Sequence, residues 1–205
     1  SDGVIAVIIT IMVLEMKAPH GDSFAALALI VPVFLNYVLS FIYIGIYWNN
    51  HHHMLQATRK VSGAVLWANL HLLFWLSLFP FATAWMGENH FASNPTAAYG
   101  VVLLMAAVAY FVLQRVIIHA DGPDSLLNQA LGSDWKGKTS PLFYATAIAA
   151  SFWWPRLAQA IYVLVALLWL VPLLVIAVMR LPLGAPRERS WTTARATPSR
   201  RRAPP

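Results

Sequence analysis

Between Asp22 and Arg59 the chain runs for 36 residues without an acid, lysine or arginine. Between Lys60 and Glu88 it does so for 27, and between Glu88 and Arg115 for 26. A bilayer core about 30 Å thick is crossed by roughly 20 apolar helical residues. Only helices and closed barrels satisfy their backbone polar groups there. These runs are far longer than barrel strands, so the chain reads as an all-α, polytopic membrane protein. Composition agrees: of 205 residues, 59% are hydrophobic and 11% charged, against about 25% charged in soluble domains.

Six spans are expected, at about 1–16, 23–50, 61–86, 96–118, 142–154 and 157–179. The first and fifth are short. The first starts so abruptly that further residues are expected before Ser1. Pro32 is a candidate kink in the second span, and Pro80 lies near the far end of the third. Asp22 or Ser23 is the expected cap of the second. Trp153 and Trp154 mark an interfacial turn. Residues 1–180 then form one membrane domain. Residues 181–205 form a Pro-rich tail in which six arginines face one acid, Glu188, a composition that predicts disorder.

Basic residues orient the spans. Arg59 and Lys60 follow the second span, Arg115, Lys136 and Lys138 lie at or after the end of the fourth, and the arginines follow the sixth. With six crossings all three groups share one side, the cytoplasm, and both termini lie there. The tail's expected partner is anionic lipid rather than nucleic acid. The chain has no cysteine, which excludes disulfides and thiolate chemistry.

The same orientation brings Ser1 and Asp2, at the start of the first span, to the depth of "YWNNHHH" at the end of the second. Polar groups at a membrane boundary need partners, and these supply one another. Three consecutive histidines point about 100° apart on a helix and do not converge on one ion. His71 and Trp75 share a face of the third span. Asp2 is a candidate N-cap. Val7, Ile11 and Leu14, with Thr10 beside them, make one helical stripe. By spacing alone such a stripe is a lipid or packing face as readily as anything else.

"SDGVIAVIITIMVLE" together with "LNYVLSFIYIGIYWNNHHHML" closely resembles the bacterial members of the TMEM175 family, potassium-permeable channels. Their first helix carries an Arg-x-x-x-Phe-Ser-Asp signature, and Ser1 and Asp2 match its last two positions. The resemblance implies six helices per subunit and a homotetramer. It implies a central pore lined by the first helix, without the Thr-Val-Gly-Tyr-Gly loop of other potassium channels. The pore-lining and constriction positions fall on Val7, Thr10, Ile11 and Leu14. The family's structural hydrogen-bond network falls on Ser1, Asp2, Asn49, His52, His53 and Trp75. The expected function is passive K⁺ conduction in the bacterial inner membrane. No cofactor or bound metal is expected beyond the permeant K⁺, and no enzymatic activity. The alternatives are a proton- or cation-coupled transporter using His71 and the histidine cluster, and a metal-dependent intramembrane enzyme using His51 to His53.

Overall fold

The structure, a computed structural model, describes residues 1–122, 125–131 and 135–180. The expected arginine-rich tail, at 181–205, lies outside the described residues. Within them the chain is helical, with nine segments in order. These are α1 (Asp2–Leu14), α2 (Phe24–Leu29), α3 (Val31–Ala57), α4 (Gly63–Ser77), α5 (Phe79–Glu88), α6 (Ser93–Asp121), α7 (Leu126–Leu131), α8 (Trp135–Ser151) and α9 (Pro155–Arg180). Three stretches are long and apolar enough to cross a membrane: Val31–Ala57, Gly63–Glu88 and Ser93–Asp121. Asp2–Leu14 and Pro155–Val171 are shorter apolar helices.

The two prolines act where the sequence places them. Pro32 stands in the first turn of α3 and Pro80 in the first turn of α5. Each lacks an N–H and restricts the residue before it. The preceding turns tighten to i→i−3 bonds, Ile30 N–H to Leu27 O at 3.2 Å and Leu78 N–H to Trp75 O at 3.3 Å. The expected second and third spans are therefore each divided, into α2–α3 and α4–α5. Ser23 caps α2, its Oγ accepting from Ala26 N–H at 3.2 Å.

Two boundaries differ from the sequence reading. α3 continues seven residues past Asn50, through all three histidines; His51 and His52 find side-chain partners without unwinding the helix, and His53 faces out. α8 begins at Trp135, not Leu142, and carries Pro141 inside it. The apolar run alone had understated that helix.

α6 is the centre of the bundle, packing against α4, α5, α8 and α9. The core beside it is aromatic. Tyr43, Phe79, Tyr99 and Tyr162 are each buried to 2% exposure or less, with ring centroids 5.6 to 6.4 Å apart along the chain of contacts. Their hydroxyls are paired. Tyr43 Oη donates to Tyr162 O at 2.6 Å and Tyr162 Oη to Thr96 O at 3.1 Å. Thr83 Oγ1 donates to Ser40 Oγ at 2.7 Å, and Ser40 lies 3.0 Å from Tyr99 Oη. Such pairing is needed where no water competes.

α6 reaches α8 and α9 closely because Gly100 has no side chain. A methyl group there would overlap the Tyr162 hydroxyl and Ile148. Gly100→Ala is therefore expected to destabilise the protein by about 1–3 kcal/mol, the usual cost of overpacking. Thermal unfolding of the purified variant beside the parent checks this.

Candidate functional site

α1 leaves one apolar side bare, as α3, α4 and α9 also do. It packs on α3, α4 and α5, through Ile5, Ile8 and Met12, all buried. Their spacing of three and four puts them on one face. The other side carries Val4, Val7, Ile11 and Leu14, at the same spacing, and it is open. Val7 is 56% exposed and Leu14 73%. Thr10 lies on the open side too. Its Oγ1 donates to Ala6 O at 3.0 Å. The hydroxyl proton is thereby committed to the helix, leaving the oxygen's lone pairs as acceptors toward the open side.

The start of α1 is tied down by an amide. Asn69 Nδ2 on α4 donates to Ser1 Oγ at 3.0 Å. Asn69 Oδ1 lies 2.7 Å from His51 Nε2 on α3, and Ser1 Oγ is also 3.3 Å from that oxygen. As an acceptor, Oδ1 fixes the His51 proton on Nε2. His51 is fully buried. Ser1, not Asp2, holds the N-cap position of α1, and its hydroxyl makes no cap bond within the helix. It is spent on Asn69 instead.

Asp2 lies in the first turn, where its charge suits the helix dipole. Its Oδ2 is 4.0 Å from His52 Nδ1. His52 Nε2 is 2.9 Å from Gln56 Nε2, and Trp48 stacks on the ring at 5.8 Å between centroids. His53 is exposed and meets His52 edge-on at 5.9 Å. Asn49 is half-buried and takes no side-chain hydrogen bond among the described residues. Trp75 Nε1–H donates to His71 Nε2 at 3.0 Å, so it serves His71 rather than the end of α1.

Sequence reasoning passed over Asn69 and His51 as partners. A signal for His51 was present. The buried face of α3 runs Asn36, Ser40, Tyr43, His51, Met54, a stripe in steps of three and four once Tyr47 is counted. Extending it selects His51 over its two neighbours. Asn69 sits one position after Ala68 on the buried side of α4. At the other end, Lys17 Nζ is 3.1 Å from Glu88 Oε1, an exposed pair of little energetic weight. Among the described residues no three His, Asp or Glu side chains gather as a metal site.

Residues 1–80 match the family model described as "Endosomal/lysosomal potassium channel TMEM175". A potassium channel of Chryseobacterium sp. (strain P1-3) is 58% identical over 172 residues, which is 84% of this chain and 90% of that one. A potassium channel of Streptomyces collinus is 36% identical over 121 residues, 55% of this chain and 59% of the relative. The fold is similar to the crystal structure of a lysosomal potassium-selective channel TMEM175 homolog from Chamaesiphon minutus. The TM-score is 0.74 at 25% identity, covering 83% of this chain and 93% of that one.

Removing the Asn69 amide strands a buried imidazole. Asn69→Leu is expected to cost about 1–3 kcal/mol, the penalty for an unsatisfied buried polar group. Ser1→Ala is expected to cost less, because Ser1 is exposed and water can replace its bond. Unfolding midpoints of the two variants in one detergent test the order; equal losses would contradict it.

Proposed function

Because the chain belongs to the TMEM175 family of potassium channels, we propose that four copies surround an axis and pass K⁺ down its gradient between their α1 helices. The relatives are named as channels and not as enzymes, and such a reading needs no cofactor beyond the permeant ion. The observation that carries it is the bare side of α1. A helix fastened by Ile5, Ile8 and Met12 presents Val7, Thr10, Ile11 and Leu14 to whatever lies outside the subunit. Four such helices would make rings of these side chains.

In that assembly each subunit crosses the membrane six times, by α1, α2–α3, α4–α5, α6, α8 and α9. Both termini face the cytoplasm of the bacterial inner membrane. Arg59, Lys60 and Lys138 then lie on the cytoplasmic side, in keeping with the positive-inside rule. The arginine-rich tail would follow there, close to anionic headgroups.

The Val7 ring is the proposed constriction. Apolar rings close a pore by dewetting, and they impose a dehydration cost on any ion that passes. K⁺ sheds water more readily than Na⁺, so an apolar constriction discriminates through that cost. The Thr10 oxygens, with their lone pairs unspent, would offer partial compensation one turn away. Ser1, Asn69 and His51, with Asp2 beside His52, would hold the base of the wall in place.

Liposomes carrying the purified protein test conduction directly, through K⁺ and Na⁺ flux under imposed gradients. Absence of cation flux from a well-folded oligomer would sink the proposal. Val7→Leu adds one carbon per subunit to the ring. We expect the K⁺/Na⁺ permeability ratio to rise about fivefold, equivalent to about 1 kcal/mol in relative barrier height. An unchanged ratio would remove Val7 from the constriction.

A further inference from the structure

Away from α1, the helices α3, α6, α8 and α9 enclose a cavity of about 190 Å³. Its walls are rings: Tyr43, Tyr47, Tyr110, Phe111, Tyr144 and Trp169. None of its lining residues carries a formal charge. Ile46, Ala107, Gly137 and Ser140 fill in the wall, and two carboxamides line it as well, Gln114 from α6 and Asn50 from α3. Gln114 is 5% exposed, and its amide makes no hydrogen bond among the described residues. The Asn50 amide, half-buried, makes none either. Phe111 is exposed and stands at the mouth.

An amide removed from bulk water and given no protein partner needs one from elsewhere. Gln114 does not lack a partner for want of space, because it faces the cavity. Water would satisfy the two amides but would leave six aromatic rings against a polar filling. A charged guest would lose its hydration with no counter-charge to replace it. A flat apolar guest would use the rings and abandon the amides. The chemistry that answers both is a neutral aromatic ring with a donor–acceptor group. Size agrees: cavities of about 150 Å³ accept benzene, so this one holds one ring and a substituent.

We propose that this cavity is a binding site for a neutral, single-ring aromatic molecule of the phenol or carboxamide class, its ring among the tyrosines and its polar group on Gln114 and Asn50. The site shares α3 with the structural network at the base of α1 but opens on a different face of it, Asn50 and His51 being successive residues that point about 100° apart. It is separate from the proposed conduction path, and its existence does not depend on whether the chain conducts.

The full-length protein in detergent, in its native oligomeric state, is titrated with 4-fluorophenol and followed by fluorine NMR. Saturable binding that unlabelled phenol competes away is the expected result. Ala107→Phe places a ring in the cavity and is expected to abolish it. Gln114→Leu keeps the volume and removes the hydrogen bonds, and is expected to weaken binding about tenfold. Partition into detergent would be non-saturable and equal in all three proteins, and would overturn the proposal. So would a cavity that retains only ordered water at saturating probe. Should Ala107→Phe fail to fold, equal affinity in Gln114→Leu and the parent is enough to reject the site, and a tenfold loss is enough to keep it.

Discussion

One carboxamide fixes where α1 sits. Asn69 joins Ser1 on one side and His51 on the other, with its two polar atoms 3.0 and 2.7 Å from them. Three helices are thereby indexed to each other at one depth. Apolar packing alone would not do this. With contacts through Ile5, Ile8 and Met12 alone, a shift of one turn would exchange one set of aliphatic contacts for another. In a bilayer, where lipid tails are as apolar as the side chains, packing gives affinity but little register. A hydrogen-bonded amide does not tolerate such a slip. The exposed positions of α1 are consequently set by a polar contact at the base of the helix.

The same logic runs through the bundle. Asn36, Ser40, Thr83 and Tyr99 form a second polar seam between α3, α5 and α6, with Asn36 Nδ2 donating to Thr83 O at 2.6 Å. Tyr43 and Tyr162 reach across to backbone carbonyls. Asp121 accepts from both Arg59 N–H at 2.9 Å and Lys60 N–H at 2.8 Å. That carboxylate holds the link between α3 and α4 against the end of α6. Each bond sits where a helix would otherwise be free to rotate or slide.

The helical nature of the chain, the break at Pro32 and the Ser23 cap were legible in the sequence because each has a local cause; the break at Pro80 has the same cause but lay inside an unbroken apolar run. Helix ends were less so. His51 to His53 lie past the apolar run and read as the start of a polar connection, yet α3 runs through them. Ahead of the short apolar run that follows Pro141, six residues, four of them polar, are already helical. At the base of α1, the sequence indicated the depth of the pairing but not its partners. His51, His52 and His53 are equivalent in composition, and only the buried stripe of α3 separates them. Asn69, in the third span, had no sequence neighbour to mark it as the hub.

Periodicity had the least to say about the face of α1, and the reason is physical. A surface against lipid, a surface against protein and the wall of a hydrophobic constriction are all written in valine, isoleucine and leucine. The structure divides them by subtraction. Ile5, Ile8 and Met12 are occupied, and Val4, Val7, Ile11 and Leu14 are left. What those four positions meet is decided outside the subunit, because lipid tails and aliphatic side chains are equally apolar. In the proposed assembly they meet across an axis, where the Val7, Ile11 and Leu14 rings are the dry part of the path and the Thr10 oxygens lie between them.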